Sequence, residues 1–295
     1  MDYPAAMDAS RKPAAAALLA LTLIWSANWI VMKLAMADCG PFTFSLLRYA
    51  GATALLFALL AQRGESLAPP PLVPTALIGL TQTAGFTALA QWALVRGGAG
   101  KTALLVYTMP FWTVLLARLV LRERLGAAQR ASLLAAAAGL LLILQPWSAG
   151  LQLRSSLPAI GAGVSWALAT VIAKRLFARQ PVSALRLSAW QMLLGTVWLV
   201  PLALWVHQRA LHWSAGLVAA LLYNVVLASG LAWTLWQFVV QRLPAGIAGL
   251  SSLAVPLTGV LLAWALLGER PNALEGAGIV VLGFALALLL RARRG

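Results

Sequence analysis

Arg48 is the one charged side chain that the sequence places well inside an apolar run. A charge at that depth is costly unless it pairs, snorkels or faces a wet cavity, so Arg48 marks a candidate functional position. The structural alternative is that it snorkels or braces backbone carbonyls, since it lies only about two helical turns from the start of its run. The seven acidic residues, Asp2, Asp8, Asp38, Glu65, Glu123, Glu269 and Glu275, all fall in the tail, in connections or at the ends of runs. His207 and His212 share one connection, and Cys39 is the single cysteine. Hydrolysis by carboxylate, metal or thiol chemistry inside the apolar runs therefore lacks its parts. Ser251 and Ser252 have no lysine at their own depth to act as a base. The chain reads as a non-enzyme with no cofactor and no metal site. A buried carboxylate that could couple it to protons is equally missing from the pattern.

What remains for chemistry is neutral and aromatic. Tyr107-Thr108-Met109-Pro110 and Ser251-Ser252-Leu253-Ala254-Val255-Pro256 each end on a proline inside an apolar run. Proline removes a backbone donor and leaves a carbonyl four residues earlier without its partner, so each segment is either a plain kink or a place where polar backbone lines a cavity. Gln82, Gln91 and Trp92 gather in the run before the first proline, and Tyr223, Asn224, Trp233, Trp236 and Gln237 in the run before the second. Aromatic rings with neutral amides suit zwitterionic or weakly cationic organic molecules with apolar parts. The candidate substrate-binding residues are Gln82, Tyr107, Trp112, Trp166, Tyr223, Asn224, Trp233, Ser251 and Ser252. Candidate gate or hinge residues are Trp25, Arg48, Pro110, Pro256, Glu123 and Glu269. Of the 13 tryptophans, Trp92, Trp147, Trp205 and Trp213 lie near run ends, where interfacial anchoring is the ordinary role. Glu123-Arg124 and Glu269-Arg270, each ending a run, read first as helix-terminal ion pairs and second as gate elements.

These residues must be positioned by membrane-spanning helices. The chain is 62% hydrophobic and 10% charged with a mean hydropathy of +0.87, whereas soluble domains carry roughly a quarter charged residues. At about 20 residues per crossing, spans are expected near 14–34, 41–62, 72–94, 100–121, 127–146, 156–176, 183–206, 215–240, 245–267 and 272–291. Cys39-Gly40-Pro41, Pro69-Pro70-Pro71, Gly97-Gly98, Gln145-Pro146 and Gln180-Pro181 supply the breaks. The net charge of +15 comes from short basic clusters between runs, which suits lipid headgroups and excludes a nucleic-acid surface. With the N-terminus inside, 15 Lys and Arg fall on the cytoplasmic side and 6 on the other, Arg48 completing the 22. The positive-inside rule then puts both termini in the cytoplasm. Arg11-Lys12 followed by an apolar stretch imitates a signal peptide, but the stretch is long enough for a retained first span.

Residues 89–126 return 146 positions later as 235–272: Gln91 with Gln237, Arg96 with Arg242, Ala99-Gly100 with Ala245-Gly246, Pro110 with Pro256, Glu123-Arg124 with Glu269-Arg270. Trp25 and Lys33 similarly recur as Trp166 and Lys174. Each copy sits in a block of five spans, so the second must insert upside down. Inverted repeats of this kind open a midplane site alternately to either side of the bilayer. The expected fold is thus all-α, ten transmembrane helices as two inverted five-helix repeats around a central cavity. Residues 1–146 and 156–295 form the repeats and 147–155 the linker.

The assembled features resemble the ten-helix EamA-type branch of the drug/metabolite transporter superfamily. Trp25-Ser26-Ala27-Asn28 with Lys33 is similar to the family's Trp-Gly-small-Asn opening, with Ser26 in place of glycine. Leu47-Arg48-Tyr49 is similar to its Arg-aromatic element, and the proline-to-glutamate spacing of thirteen residues occurs twice, Pro110 to Glu123 and Pro256 to Glu269. Ser188-Ala189-Trp190 departs from the family pattern, so Arg48 has no counterpart in the second half. Within the superfamily the chain looks most like the YddG-type exporters of aromatic and other neutral amino acids. The resemblance implies a basket of helices three, four, eight and nine around the cavity, with one, two, six and seven as moving walls and five and ten outside. It also implies export of small metabolites across a bacterial inner membrane. The chain is expected to act as a monomer on a small-molecule substrate. Quaternary amines or drugs are the alternative substrates. Nucleotide sugars would need several cations in one cavity, and a scaffold would not need helix breakers in both halves.

Overall fold

The computed structural model of the chain describes residues 3–97, 99–149, 153–267 and 271–291. All regular structure among them is helical. Ten helices are long and apolar enough to cross a membrane: α1 (Pro13–Ala35), α2 (Pro41–Gln62), α3 (Leu72–Arg96), α4 (Thr102–Leu121), α5 (Ala127–Leu144), α6 (Arg154–Arg179), α7 (Ala184–Trp205), α8 (Ala215–Arg242), α9 (Ala245–Leu262) and α10 (Ala273–Arg291). Each falls on an expected span. The face on which α1 begins and α10 ends is called the first face below, and the opposite one the second.

Local chemistry starts these helices where the sequence turns polar. Pro41 opens α2 behind an extended Gly40, using a position where the missing N–H is not needed. Ser183 and Ser214 cap α7 and α8 by accepting the Arg186 and Leu217 N–H groups at 3.1 and 3.0 Å. Gln129 closes back on the Gly126 N–H at 2.8 Å ahead of α5.

Four of the spans are not plain α-helices. α3 and α8 widen into π-helix over Gly79–Gly85 and Asn224–Leu231. α4 is interrupted by a turn at Tyr107 and Thr108 and widens again over Ala117–Leu121, while α9 is interrupted at Ser252 and Leu253. The interruptions lie just before Pro110 and Pro256, because a proline lacks the N–H that would bond the preceding turn. The hydropathy pattern predicts spans at α3 and α8 but not their π stretches.

The spans of both halves share one apolar core. α5 and α10 pack on each other and are the least buried of the ten. α1 packs against α8 and α9, and α6 reciprocally against α3 and α4. α3 and α7 approach almost backbone to backbone: a Cβ on Gly195 would lie 2.5 Å from the Gly79 carbonyl oxygen. Trp92, Trp147, Trp205 and Trp213 are all exposed, as interfacial anchors would be.

Candidate functional site

Four tryptophans from three spans meet at mid-helix depth. Trp25 of α1 lies 4.7 Å from Trp233 of α8 and 5.3 Å from Trp166 of α6, centroid to centroid. Trp236 closes on Trp166 at 5.2 Å, and Phe86, just beyond the π stretch of α3, reaches Trp166 at 5.4 Å. Most of these pairs are edge-to-face, the arrangement favoured by ring quadrupoles. The π stretch of α8 contributes directly: its Ala228 carbonyl accepts the Trp25 Nε1–H at 3.1 Å. Wide turns leave such carbonyls available, which is why they recur at functional sites.

This cluster floors an open cavity enclosing about 520 Å³ of non-atom space, its open end included. The lining runs from Trp25, Trp166 and Trp233 to Met32 and Leu94, which lie near the ends of α1 and α3 at the second face. The cavity therefore occupies the half of the molecule toward that face. Its polar groups are neutral apart from Arg48: Asn28, Thr87, Gln91 and the Tyr107 hydroxyl.

Arg48 does not snorkel. It is 5% exposed, and its Nη1 donates to Asn224 Oδ1 at 2.9 Å and contacts Met32 Sδ at 3.4 Å. Nη2 donates to the Tyr49 hydroxyl at 2.9 Å, and the guanidinium carbon lies 4.4 Å from that ring's centroid. Asn224 is fixed in turn by its Nδ2 donating to the Ala220 carbonyl at 3.1 Å. Among the described residues Nε of Arg48 has no partner and no carboxylate reaches the guanidinium. Among the described residues the cation is held by neutral groups, those of Asn224, Tyr49 and Met32.

Below the floor, toward the first face, the halves are tied together. Gln237 Nε2 donates to Gln82 Oε1 at 2.9 Å and to Gln191 Oε1 at 3.4 Å, all three side chains being buried. Within the second half, Lys174 Nζ donates to the Val240 and Gln241 carbonyls at the end of α8, at 3.1 and 3.3 Å. Ser183 donates to Glu65 at 2.6 Å. Glu123 accepts the N–H groups of Ala245 and Gly246 at the start of α9. It makes no ion pair with Arg124: the carboxylate caps a helix of the other half instead.

Of the candidate binding residues, Tyr107, Trp166 and Trp233 line the cavity, as do the candidate gate residues Trp25 and Arg48. Asn224 reaches it only through Arg48, and Gln82 sits in the amide cluster beneath the floor. Tyr223 donates to the Ile24 carbonyl at 2.7 Å, bracing α8 on α1, and Trp112 donates to Thr108 of its own helix at 3.3 Å. Ser251 and Ser252 donate to the Ile247 and Gly249 carbonyls within α9. Neither proline lines the cavity; the Val106 carbonyl freed by Pro110 packs on α6, where a Cβ on Gly163 would meet it at 2.8 Å. Glu269 and Arg270 lie outside the described residues. The expected basket of helices three, four, eight and nine is thus corrected. α1 and α3 supply most of the wall, and α9 supplies none of its lining side chains, because α1 wedges between the cavity and α9. Asn28 and Gln91 are absent from the candidate residues, although Asn28 belongs to the opening motif of α1 and Gln91 to the amides of α3. Only the packing tells a cavity amide from a structural one.

Residues 12–145 and 154–291 each match the model of the EamA-like transporter family. The chain is similar to the uncharacterized transporter YoaV of Bacillus subtilis, 27% identical over 94% of this chain and 97% of the relative. It is also similar to a protein of Salmonella typhimurium named a probable amino-acid metabolite efflux pump, 27% identical over 92% of this chain and 93% of the relative. A solved crystal structure at 21% identity superposes with a TM-score of 0.80 over 95% of this chain and 98% of that one, which shows a shared fold.

Proposed function

The chain belongs to the EamA-like transporter family, and from that membership we propose that it exports small organic metabolites, foremost neutral or aromatic amino acids, by alternating access. It is a multi-pass membrane protein. The observation that carries the reading is the cavity itself. It has an aromatic floor and neutral polar walls, lies between spans of both halves, and is tied shut at one face. Apolar walls with few polar groups accept a range of side chains, since such pockets discriminate weakly between them. The name of the Salmonella relative points to the same substrate class.

In this reading residues 1–146 and 156–295 are inverted repeats joined by 147–155. The π stretches of α3 and α8, the broken α4 and α9, and the reciprocal packing of α1 and α6 support that symmetry. The first face is cytoplasmic, by the balance of Lys and Arg, in a bacterial inner membrane. The cavity then faces outward, ready to release what it has carried. It is complete within one chain, which supports a monomeric unit.

The cluster around Trp25 also favours a second reading, a carrier of quaternary amines or drugs, because ring faces attract desolvated cations. Flux from liposomes holding the purified protein, loaded in turn with neutral amino acids, quaternary amines and nucleotide sugars, separates the readings. Efflux of amino acids supports the first; amine-only flux supports the second; no flux of any solute overturns transport.

A further inference from the structure

We propose that Arg48 is the receptor for a substrate carboxylate, and that Asn28 and Gln91 receive the ammonium of the same molecule, so that the cavity reads an α-amino-acid head group. The proposal rests on the export reading above and narrows it to substrates bearing both groups.

Arg48 is a buried cation at the cavity wall with a free Nε and no carboxylate partner among the described residues. A guanidinium presents a planar fork that matches a carboxylate, and an arriving anion would add the counter-charge that Asn224 and Tyr49 do not supply. Those two neighbours hold the fork in place, so little ordering is needed when the anion arrives.

The acceptors lie in the same lining. Asn28 is 7% exposed and Gln91 2% exposed, and among the described residues neither Asn28 Oδ1 nor Gln91 Oε1 has a hydrogen-bond partner. Gln91 is oriented by its Nε2 donating to Ser45 Oγ at 3.0 Å, which leaves Oε1 as its remaining function. Buried acceptors without donors are costly, and an ammonium offers three donors. Phe86, Trp166 and Trp233 lie beyond as an apolar receptor for the side chain.

Counterflow of labelled L-phenylalanine into liposomes preloaded with the same amino acid tests this on the full chain. Unlabelled phenylalaninamide and phenethylamine, which lack the carboxylate, should compete roughly ten- to a hundredfold more weakly than L-phenylalanine. Phenylpropionate, which lacks the ammonium, should also compete more weakly. Arg48→Gln should abolish the preference for the acid over the amide, and Arg48→Lys should keep part of it. Asn28→Leu should bring L-phenylalanine and phenylpropionate closer together. If Arg48→Gln does not fold, the wild-type competition still decides. Equal competition by acid, amide and amine on the wild type overturns the head-group proposal while leaving export intact. Absence of amino-acid counterflow alongside amine flux overturns both.

Discussion

The Glu123 carboxylate accepts the Ala245 N–H at 2.9 Å, and its second oxygen accepts the Gly246 N–H at 3.1 Å. A residue at the end of α4 thereby satisfies the open donors at the start of α9, 122 positions away. Lost caps cost about 0.5–2 kcal/mol. Glu123→Ala is expected to loosen the first face by an amount of that order, read as wider spin-label distances across it. Glu123→Gln keeps one acceptor oxygen and should retain substrate-gradient-driven flux. Loss of all flux in a folded Glu123→Gln protein would mean that protonation at this carboxylate is obligatory. Glu269 is its repeat equivalent, so Glu269→Ala should shift the conformational balance the opposite way.

Met109 and Pro110 open the second segment of α4 directly after the turn at Tyr107 and Thr108, and Pro256 follows the turn at Ser252 and Leu253. Both mark places where a spanning helix can bend without breaking a backbone hydrogen bond. Pro110→Ala and Pro256→Ala should each slow flux more than they weaken binding. The two should move the inward-to-outward balance in opposite directions. Unchanged flux in both, or shifts of the same sign, would reduce the prolines to packing features.

The α3–α7 contact leaves no room at Gly195, where an added Cβ would press on Thr83 and on the Gly79 carbonyl. Overpacking at such a site typically costs 1–3 kcal/mol, so Gly195→Val should lower the thermal midpoint of the purified protein by roughly that equivalent. A midpoint equal to wild type would show that the two helices can separate freely.

Both termini should be reached by membrane-impermeant reagents added outside the cell only after the bilayer is permeabilised. The 15-to-6 distribution of Lys and Arg is the basis of this expectation. Labelling of the C-terminus from outside intact cells would invert the assignment of the faces.

Cys39, in the connection between α1 and α2, is buried, and burial first and the neighbouring Asp38 second push its thiol above the ordinary cysteine range. Less thiolate is therefore present at neutral pH than for an exposed cysteine. Maleimide should label the native protein slowly, faster as pH rises, and fully only after denaturation. Rapid labelling at neutral pH would show that this connection opens in the native state.

The ten spans, their breaks and the paired Pro110 and Pro256 were legible because hydropathy and proline chemistry are local: each residue contributes without knowledge of its neighbours in space. The same holds for Arg48, whose depth alone marked it out. Trp25, Trp166 and Trp233 were named singly, but nothing in the chain said that they touch, since lipid tails are as apolar as a protein core and a spanning helix need not show which face is buried. The folded packing decided that α1 rather than α9 walls the cavity. It also decided that Asn224 holds Arg48 while Asn28 and Gln91 keep open acceptors, and that Glu123 caps a distant helix instead of pairing with Arg124. Hydrogen bonds depend on distance and angle between residues far apart in the chain, so composition and spacing nominate the groups and only the tertiary structure assigns their partners.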